Sequence, residues 1–518
     1  IDSDPAVKPG GETLCSSAGG GLGSGNCNIE FFSSGFVLDV PDKIANRPVT
    51  GRIKAVKSSD DSQKCLPSFQ NTSKNIEFFG KYITPDSSVI IGSPTIGLKV
   101  GSVEKDLAMS SSSLKAFAVD FDNDGEAEFD VSYVDAGKLQ LNAQYEGSDD
   151  EFGLDMRGST QFVSFPKQLN IQAKNTAGNS GSCVTKDLSC SVFAKAGEAF
   201  TLNIWASGDN GVVTPNFSSQ DIALSHELKA PVVTGTEPGL LGNISYSHTA
   251  ISSGINSVTQ SVSEVGVFNF LVEELPSYLG SSSFTIQGAQ TGSVGRFIPY
   301  YLHLDSNTPS FTAACSTSTY LGQAMEFSRL PELTVTGRSF DNVGSNGEQE
   351  TTNYKIDGWW RYANPWDFRT FWAESSTLSI IDTDSSKVVK TQGFAWPGQV
   401  TFESNLQLAS LEEAKIAYVK PLTPLGPINE GVVVRLAVND TKDLDGVCYQ
   451  TNGSASCSGF DFSVSDSQRQ RWGYLALADT FGPETSRVQS AVTSYYFDGL
   501  SFKTVSYTHL RAHETHRY

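Results

Sequence analysis

The chain has 518 residues, 37 Lys and Arg against 57 Asp and Glu, and a formal net charge of −20 at pH 7. A hydrophobic fraction of 38% supplies enough apolar surface for folded cores and excludes wholesale disorder. The acidic balance, with no run of Lys or Arg, excludes nucleic acid and anionic membrane surfaces as partners, because both are bound through clustered positive charge.

No apolar stretch approaches the ~20 residues that a membrane-spanning helix needs, so no membrane span is predicted. The longest strongly apolar run, at 265–272, already contains Gly266 and Asn269. The sequence begins at Ile1 without a basic and apolar leader, and we therefore expect a mature form or an internal fragment.

Residues 1–32 are rich in Gly and Ser and predict a linker. From residue 33 the pattern changes to short alternating runs such as FVLDV, VTGRIKAV and AEFDVSYV, separated by turn sequences such as TPDSS and DNDG. Eight such runs predict one antiparallel β-sandwich over 33–150.

The same pattern of short alternating runs and turn sequences continues through two further blocks, at 160–304 and 305–504. Helical periodicity is weak, so the sequence predicts an all-β chain of antiparallel β-sandwich modules in series, the third block being a C-terminal β-rich domain. The last segment, 505–518, packs three His and two Arg into fourteen residues and is interpreted as a non-native tail.

Six of the eight cysteines form pairs that are close along the chain and bracketed by Gly, Ser, Asn or Asp. The pairs are Cys15 with Cys27, Cys183 with Cys190, and Cys448 with Cys457. Because no C-x-x-C spacing appears, the pattern favours short disulfide loops in an oxidising compartment over zinc sites, with free buried thiols as the alternative. Cys65 and Cys315 are left without an assigned partner.

An acidic cluster in DFDNDGEAEFD resembles the start of a calcium-binding loop. Asp120, Asp122 and Asp124 occupy its first, third and fifth places, with Glu126 beside them, but the twelfth place holds valine instead of a bidentate Glu. A hairpin turn between two strands is the favoured interpretation, and a weak calcium site is the alternative. No other cofactor or metal is predicted. The acidic run NDTKDLDGVC at 439–448 is likewise interpreted as a turn.

No residue pattern typical of catalysis stands out. His226, His248 and His303 lie in strand-like segments without a GxSxG elbow or a Cys-His signature. Glycoside hydrolysis needs only two carboxylates, which an acidic chain always offers, so their presence decides nothing. We predict that the protein is not an enzyme.

An aromatic cluster lies in WWRYANPWDFRTFW and contains Trp359, Trp360 and Trp366. Exposed indoles could stack on sugar rings or on a protein partner, whereas buried ones would fill a sandwich core. Adjacent residues of a regular strand point to opposite faces, so Trp359 and Trp360 cannot both point inward on such a strand. Both interpretations stay open.

Several phrases occur in one order along the chain: CLPSFQNTSKNIEFFGKYITP at 65–85, DFDNDGEAEFDVSYVDAGKLQLNAQY at 120–145, KAGEAFTLNIWA at 195–206, and WGYLALADTFGPE with SYYFDGLSFKT within 472–504. Together they resemble the accessory proteins of mannose-sensitive haemagglutinin (MSHA) pilus biogenesis of the MshQ type, which carry a domain of unknown function over their C-terminal part. Ile298, where an aromatic is typical, indicates a divergent branch.

The resemblance implies tandem immunoglobulin-like antiparallel β-sandwich modules at the surface of, or secreted by, a Gram-negative bacterium. It supplies no catalytic residues. The expected function is non-enzymatic assistance in the biogenesis or display of an adhesive type IV pilus, with pilus or envelope proteins as partners. A carbohydrate-binding adhesin with glycan partners is the alternative, and a glycoside hydrolase fragment is the third.

Overall fold

Nearly all the regular structure of the chain is β-strand. A computed structural model describes residues 34–58, 65–313, 318–325, 327–329, 332–340, 348–356, 358–362, 370–374, 380–382, 394–395, 405–407, 416–429, 433–451, 456–463 and 469–505. Within these ranges the helical segments include short 3₁₀ turns at Asp149–Glu151, Thr352–Lys355 and Val438–Thr441. No described helix is long and apolar enough to cross a membrane. The all-β prediction is confirmed.

The first sandwich consists of two sheets packed face to face. Its strands are β1 (Ser34–Asp39), β2 (Lys43–Ile44), β3 (Val49–Ser58), β4 (Cys65–Pro67), β5 (Ser73–Thr84), β6 (Gly97–Val100), β7 (Val103–Asp106), β8 (Lys115–Asp120), β9 (Glu126–Ser132), β10 (Gly137–Glu146) and β11 (Asp155–Phe165). One sheet has the order β1-β3-β9-β6-β7, with β4 beside β3, and the other β2-β11-β10-β5-β8. Strand β3 shows why the sheets pack face to face. Ile53 and Ala55 point into the core, while Thr50 and Arg52 face solvent.

The second sandwich has a three-stranded and a six-stranded sheet. Its strands are β12 (Gln168–Lys174), β13 (Ala194–Lys195), β14 (Phe200–Ser207), β15 (Ser219–Ala230), β16 (Ser245–His248), β17 (Ile255–Gln260), β18 (Gly266–Val272), β19 (Ala289–Gln290) and β20 (Val294–Ile298). The orders are β12-β14-β17 and β13-β20-β18-β15-β16, with β19 beside β18. Phenylalanine rings fill the space between the sheets. The ring centroids of Phe200 and Phe270, for example, lie 4.9 Å apart.

Strand β18 is buried on both faces. Phe268 and Phe270 point into the core of the second sandwich, whereas Val267 belongs to the core of the third. This explains why its sequence, GVFNFLV, is mostly apolar, with Asn269 as its one polar side chain, and lacks the polar alternation of a strand that has one face in water.

The third part of the chain, which we call the third sandwich, is built from several smaller sheets. Its strands are β21 (Tyr301–Ser306), β22 (Ser310–Phe311), β23 (Ser318–Tyr320), β24 (Phe327–Arg329), β25 (Glu332–Arg338), β26 (Thr370–Glu374), β27 (Ile380–Asp382), β28 (Phe394–Ala395), β29 (Asn405–Gln407), β30 (Ile416–Tyr418), β31 (Ile428–Asn429), β32 (Val433–Leu436), β33 (Phe460–Ser463), β34 (Arg469–Arg471), β35 (Gly473–Leu477), β36 (Val492–Phe497) and β37 (Phe502–Thr504). The principal orders are β21-β25-β29, β28-β26-β32-β33, β23-β34-β31 and β35-β36-β37.

The predicted module limits at 33–150, 160–304 and 305–504 stay predictions. Strand β11 extends across the region of the first limit, and two residues separate its end at Phe165 from the start of β12. Near the second limit, β21 begins at Tyr301 and pairs with β25. The predicted linker at 1–32 and nearly all of the tail at 505–518 lie outside the described residues.

Candidate functional site at the junctions between the sandwiches

We call the contact between the first and second sandwiches the first junction. A buried asparagine lies at its centre. Asn216, from the second sandwich, donates through Nδ2 to Asp135 Oδ2 at 2.7 Å and to the Ile91 carbonyl at 2.9 Å. Its side-chain oxygen accepts the Ile91 amide at 2.8 Å, and its own backbone amide donates to Asp135 Oδ1 at 3.2 Å. Burial raises the pKa of Asp135, which the hydrogen bonds from Asn216 and Ala136 partly offset.

Exposed charges surround this buried contact. Asp209 of the second sandwich pairs with Arg47 of the first at 2.8 Å and with Lys167 at 3.0 Å. Hydrogen bonds from these two cations lower the pKa of Asp209 to about 2. Because the three side chains are roughly a third to a half exposed, water and salt screen the pairs and they add little to stability.

We expect Asn216→Ala to lower the free energy of unfolding by about 1.5–3 kcal/mol, because it removes the side-chain partner of Asp135 Oδ2 and of the Ile91 amide and carbonyl. Urea unfolding of the whole chain measures the change. Asp209→Ala, on the exposed rim, is the control and should be close to wild type. Equal losses in both variants would contradict a dominant role for the buried contact.

We call the contact between the second and third sandwiches the second junction. It contains a buried cluster of charged side chains. Arg296, on β20, forms a bidentate pair with Asp445 of the third sandwich, at 2.5 and 2.9 Å, and the two side chains are only 7% and 6% exposed. Its Nε donates to the Cys190 carbonyl at 3.2 Å. Arg361 Nε lies 3.3 Å from the same carboxylate, although that nitrogen makes no hydrogen bond. One carboxylate therefore lies against two guanidinium groups, one from each side of the junction.

A second buried carboxylate crosses the same junction. Glu264, which precedes β18, accepts the Thr352 amide at 2.8 Å, the Thr352 hydroxyl at 3.0 Å and the Asn353 amide at 3.2 Å. Asn353 Nδ2 returns a bond to the Val265 carbonyl at 3.0 Å. Burial raises the pKa of Glu264 to about 7 despite these donors.

Asp443 organises the loop that carries Asp445. Its Oδ1 accepts the Asp445 and Val447 amides at 2.9 Å each, which is the turn that the sequence 439–448 predicts. Its Oδ2 accepts the Tyr354 hydroxyl at 2.8 Å. Burial, with the nearby Asp445 charge, raises the pKa of Asp443 to about 6, and burial also raises the pKa of Tyr354. The loop is thus held in place from two sides.

Two of the predicted disulfides are present, and both lie beside the second junction. They join Cys183 to Cys190 and Cys448 to Cys457. Cys190 supplies the carbonyl that Arg296 binds, and the Cys448 carbonyl accepts the Leu302 amide at 2.8 Å. The two disulfides therefore brace loops that take part in the contact between the second and third sandwiches.

The third predicted disulfide is not confirmed. Cys15 and Cys27 both lie outside the described residues, so the bridge between Cys15 and Cys27 stays a prediction. Of the two cysteines left without an assigned partner, Cys315 also lies outside the described residues, and Cys65 is an exposed free thiol.

The structure places Trp359 and Trp360 in the core of the third sandwich, each only 7% exposed. Both are buried because they lie in an irregular turn after the 3₁₀ segment and not on a strand, so the alternation rule does not apply. Trp360 packs between Tyr354 and Tyr362, with ring centroids at 5.2 and 6.3 Å. For these two indoles the structure therefore agrees with the core-packing interpretation and leaves little exposed ring surface for stacking. Trp366 lies outside the described residues.

The acidic loop after β8 is a turn, but the hairpin prediction is wrong. Strand β8 pairs with β5 in one sheet, whereas β9 pairs with β3 and β6 in the other, so the turn crosses between the sheets. Asp122 Oδ1 accepts the Asp124 and Glu126 amides at 2.8 and 2.9 Å, and Glu126 pairs with Lys54 at 2.7 Å. Asp120 closes the β8–β5 pairing opposite Ser73.

Sequence reasoning missed the ion cluster. The signal for it was Arg296, a lone charge within the apolar segment VGRFIP, because a charge in a buried strand needs a partner. Nothing in the sequence indicated that the partner was Asp445, which is 149 residues away. Among the described residues, no group of three or more His, Cys, Asp or Glu is arranged to hold a metal ion. The junction residues are instead arranged to bind one sandwich to the next.

Three family models match the chain. They describe the first, Ig-like domain of DUF6701, a domain of unknown function, at residues 12–159; the second DUF6701 domain at 165–259; and the third at 264–464. The immunoglobulin-like fold is thus confirmed for the first domain. No curated protein matches the sequence.

Solved structures with some likeness include several bacterial surface proteins. FdeC, an adhesin of Escherichia coli, is 12% identical with a TM-score of 0.26, over 85% of this chain and 98% of that one. The D0–D1 domains of intimin are 13% identical with a TM-score of 0.16, over 51% and 97%. Invasin, a bacterial integrin-binding protein, is 10% identical with a TM-score of 0.20, over 86% and 82%. At such TM-scores the whole chains do not superpose.

Proposed function

This chain belongs to the DUF6701 family, and from that premise we propose that it is a non-enzymatic β-protein, secreted or held at the surface of a Gram-negative bacterium, that assists the biogenesis or display of an adhesive type IV pilus of the MSHA kind. Its physical task is to hold binding surfaces at a set distance and orientation. Pilus or envelope proteins are the partners.

The second junction is the observation that carries this proposal. Arg296 and Asp445 meet across it in a bidentate, desolvated pair, which has a narrow range of favourable geometries. Glu264 crosses the same boundary with three further hydrogen bonds. Contacts of this kind fix the angle between neighbouring sandwiches, and a fixed angle is what a display protein needs. Flexible linkers would leave that angle undefined.

The cysteines support a location outside the cytoplasm. Two disulfides persist only in an oxidising compartment, and both brace loops at the second junction. The pilus assignment itself rests on the sequence segments that resemble MshQ-type proteins and occur in the same order along the chain. The alternative of a glycan-stacking surface on Trp359 and Trp360 has less support, since both indoles are buried.

Binding to matched bacteria tests the proposal. The purified chain is added to a strain that carries the MSHA pilus and to an isogenic strain that lacks it, with and without free mannose. We expect binding that depends on the pilus and is insensitive to mannose. Equal binding to both strains, or binding that free mannose abolishes, would overturn the pilus assignment.

A further inference from the structure

A cavity of about 370 Å³ opens where the second sandwich meets the third, on a different part of the boundary from the ion cluster. Its lining includes Gly197, Glu198, Asn243, Thr259, Tyr300 and Phe340. We call it the junction pocket. Its volume is within the range of small-molecule sites, and domain boundaries are a common place for such sites.

One wall of the junction pocket is aromatic. The rings of Tyr300 and Phe340 lie 4.8 Å apart at an interplanar angle of 46°, and Phe340 is 42% exposed. The Phe340 amide donates to the Ala196 carbonyl at 2.9 Å, and the Tyr300 amide to the Arg338 carbonyl at 2.8 Å. A large apolar ring that is held by its backbone and left facing a cavity is a platform on which a ligand can stack.

Gly197 allows Phe340 to come this close. Its φ is +81°, and a Cβ at this position would lie 2.8 Å from both the Phe340 nitrogen and oxygen. Any larger residue would therefore push the platform away from the second sandwich.

Much of the remaining lining is polar. The buried Gln260 side chain accepts the Asn243 amide at 2.9 Å and donates to the Asn243 carbonyl at 2.8 Å. Asn243 Nδ2 donates to the Thr259 carbonyl at 2.7 Å. These bonds fix Asn243 beside β17. Asn243 and Thr259 both line the pocket, and the Asn243 side-chain oxygen and the Thr259 hydroxyl are groups that can hydrogen-bond a ligand.

The pocket lining contains one charged residue, Glu198, and one cation, Lys195, lies beside the lining residue Tyr300. Glu198 uses one carboxylate oxygen to accept the Lys195 amide at 2.8 Å, and the Lys195 ammonium lies 5.2 Å from the centre of the Tyr300 ring. One carboxylate and one ammonium suit a neutral ligand better than a phosphate, which needs several cations. The ligand must also offer an apolar face to the rings and hydroxyl groups to the rim.

A sugar ring has both properties, and we propose that the junction pocket binds a neutral hexose or hexosamine unit of a glycan. The apolar C–H face of the ring stacks on Phe340 and Tyr300. Its hydroxyls donate to Glu198 and to the Asn243 side-chain oxygen, and exchange a hydrogen bond with Thr259. This site is distinct from the Trp-rich segment and does not depend on the pilus assignment.

The test uses the whole chain and immobilised oligosaccharides that end in mannose, glucose, galactose or N-acetylglucosamine. We expect saturable binding to at least one of them. Phe340→Ala should weaken that binding by about tenfold or more, because the stacking face is lost. Thr259→Val keeps the β-branched shape on an exposed strand position and should weaken binding by removing only the hydroxyl.

Phe152→Ala is the matched control, since this ring is 89% exposed on the first sandwich and far along the chain from the pocket. It should bind like wild type, and thermal melts of all three variants confirm that they fold. Absence of saturable binding to every sugar of the panel would overturn the proposal. So would unchanged affinity in both Phe340→Ala and Thr259→Val, because a sugar bound elsewhere would not respond to these changes.

Discussion

Asp445→Ala is expected to lower the free energy of unfolding of the third sandwich by about 3–5 kcal/mol. The change removes the carboxylate that pairs with Arg296 in a bidentate contact and lies 3.3 Å from Arg361. Arg296 is 7% exposed, so its guanidinium would remain desolvated with only the Cys190 carbonyl as a partner. An uncompensated buried charge is far more costly than the intact pair is stabilising.

Urea unfolding of the whole chain, followed by tryptophan fluorescence, measures this loss. A chain with three sandwiches does not unfold as one two-state unit, so the transition that reports Trp359 and Trp360 is the one to compare. The double variant Arg296→Met with Asp445→Leu is the control. It removes both charges of the bidentate pair and should recover most of the loss, because no fully buried ion then remains alone. Arg361 also loses this carboxylate, but its side chain is 26% exposed and can be hydrated. A double variant as unstable as Asp445→Ala would contradict the charge-based explanation.

Trp360→Ala is expected to lower the free energy of unfolding by about 3–5 kcal/mol, because truncation of a buried aromatic side chain leaves a cavity that the surrounding core cannot fill. The indole packs between Tyr354 and Tyr362 in the core that the third sandwich shares with β18 of the second. We therefore expect a lower midpoint for the third sandwich and a weaker contact with the second.

Thermal unfolding with circular dichroism measures this effect, and Phe481→Ala is the matched control. Phe481 is 97% exposed, and its truncation should change stability by no more than about 0.5 kcal/mol. A wild-type melt for Trp360→Ala would contradict the buried placement and restore an exposed aromatic surface as the explanation of the Trp-rich segment.

Local patterns were sufficient to predict the strands. Alternation in VTGRIKAV places Ile53 and Ala55 in the core of the first sandwich, as the period of a strand requires. The Gly- and Asp-rich segments between such runs predicted turns, and the Asp122 and Asp443 side chains form those turns through short-range hydrogen bonds. Close spacing in the chain also predicted the two disulfides that the described residues contain.

These local patterns did not predict which strands pair with each other or which irregular segments are buried. The turn after β8 has the sequence of a hairpin, yet β8 and β9 belong to opposite sheets, because sheet pairing depends on distant strands and not on the turn alone. The adjacent Trp359 and Trp360 are both buried because the backbone there is irregular. Sequence periodicity carries no information about such a segment.

The sequence by itself therefore determined the β-class of the chain, its turns and two local disulfides, since each of these arises between residues close along the chain. Only the tertiary structure decided that Arg296 meets Asp445, that Asn216 joins Asp135, and that Tyr300 and Phe340 share a pocket with Thr259. These contacts join residues tens to hundreds of positions apart. They follow from how finished sandwiches pack against each other, which no local pattern encodes.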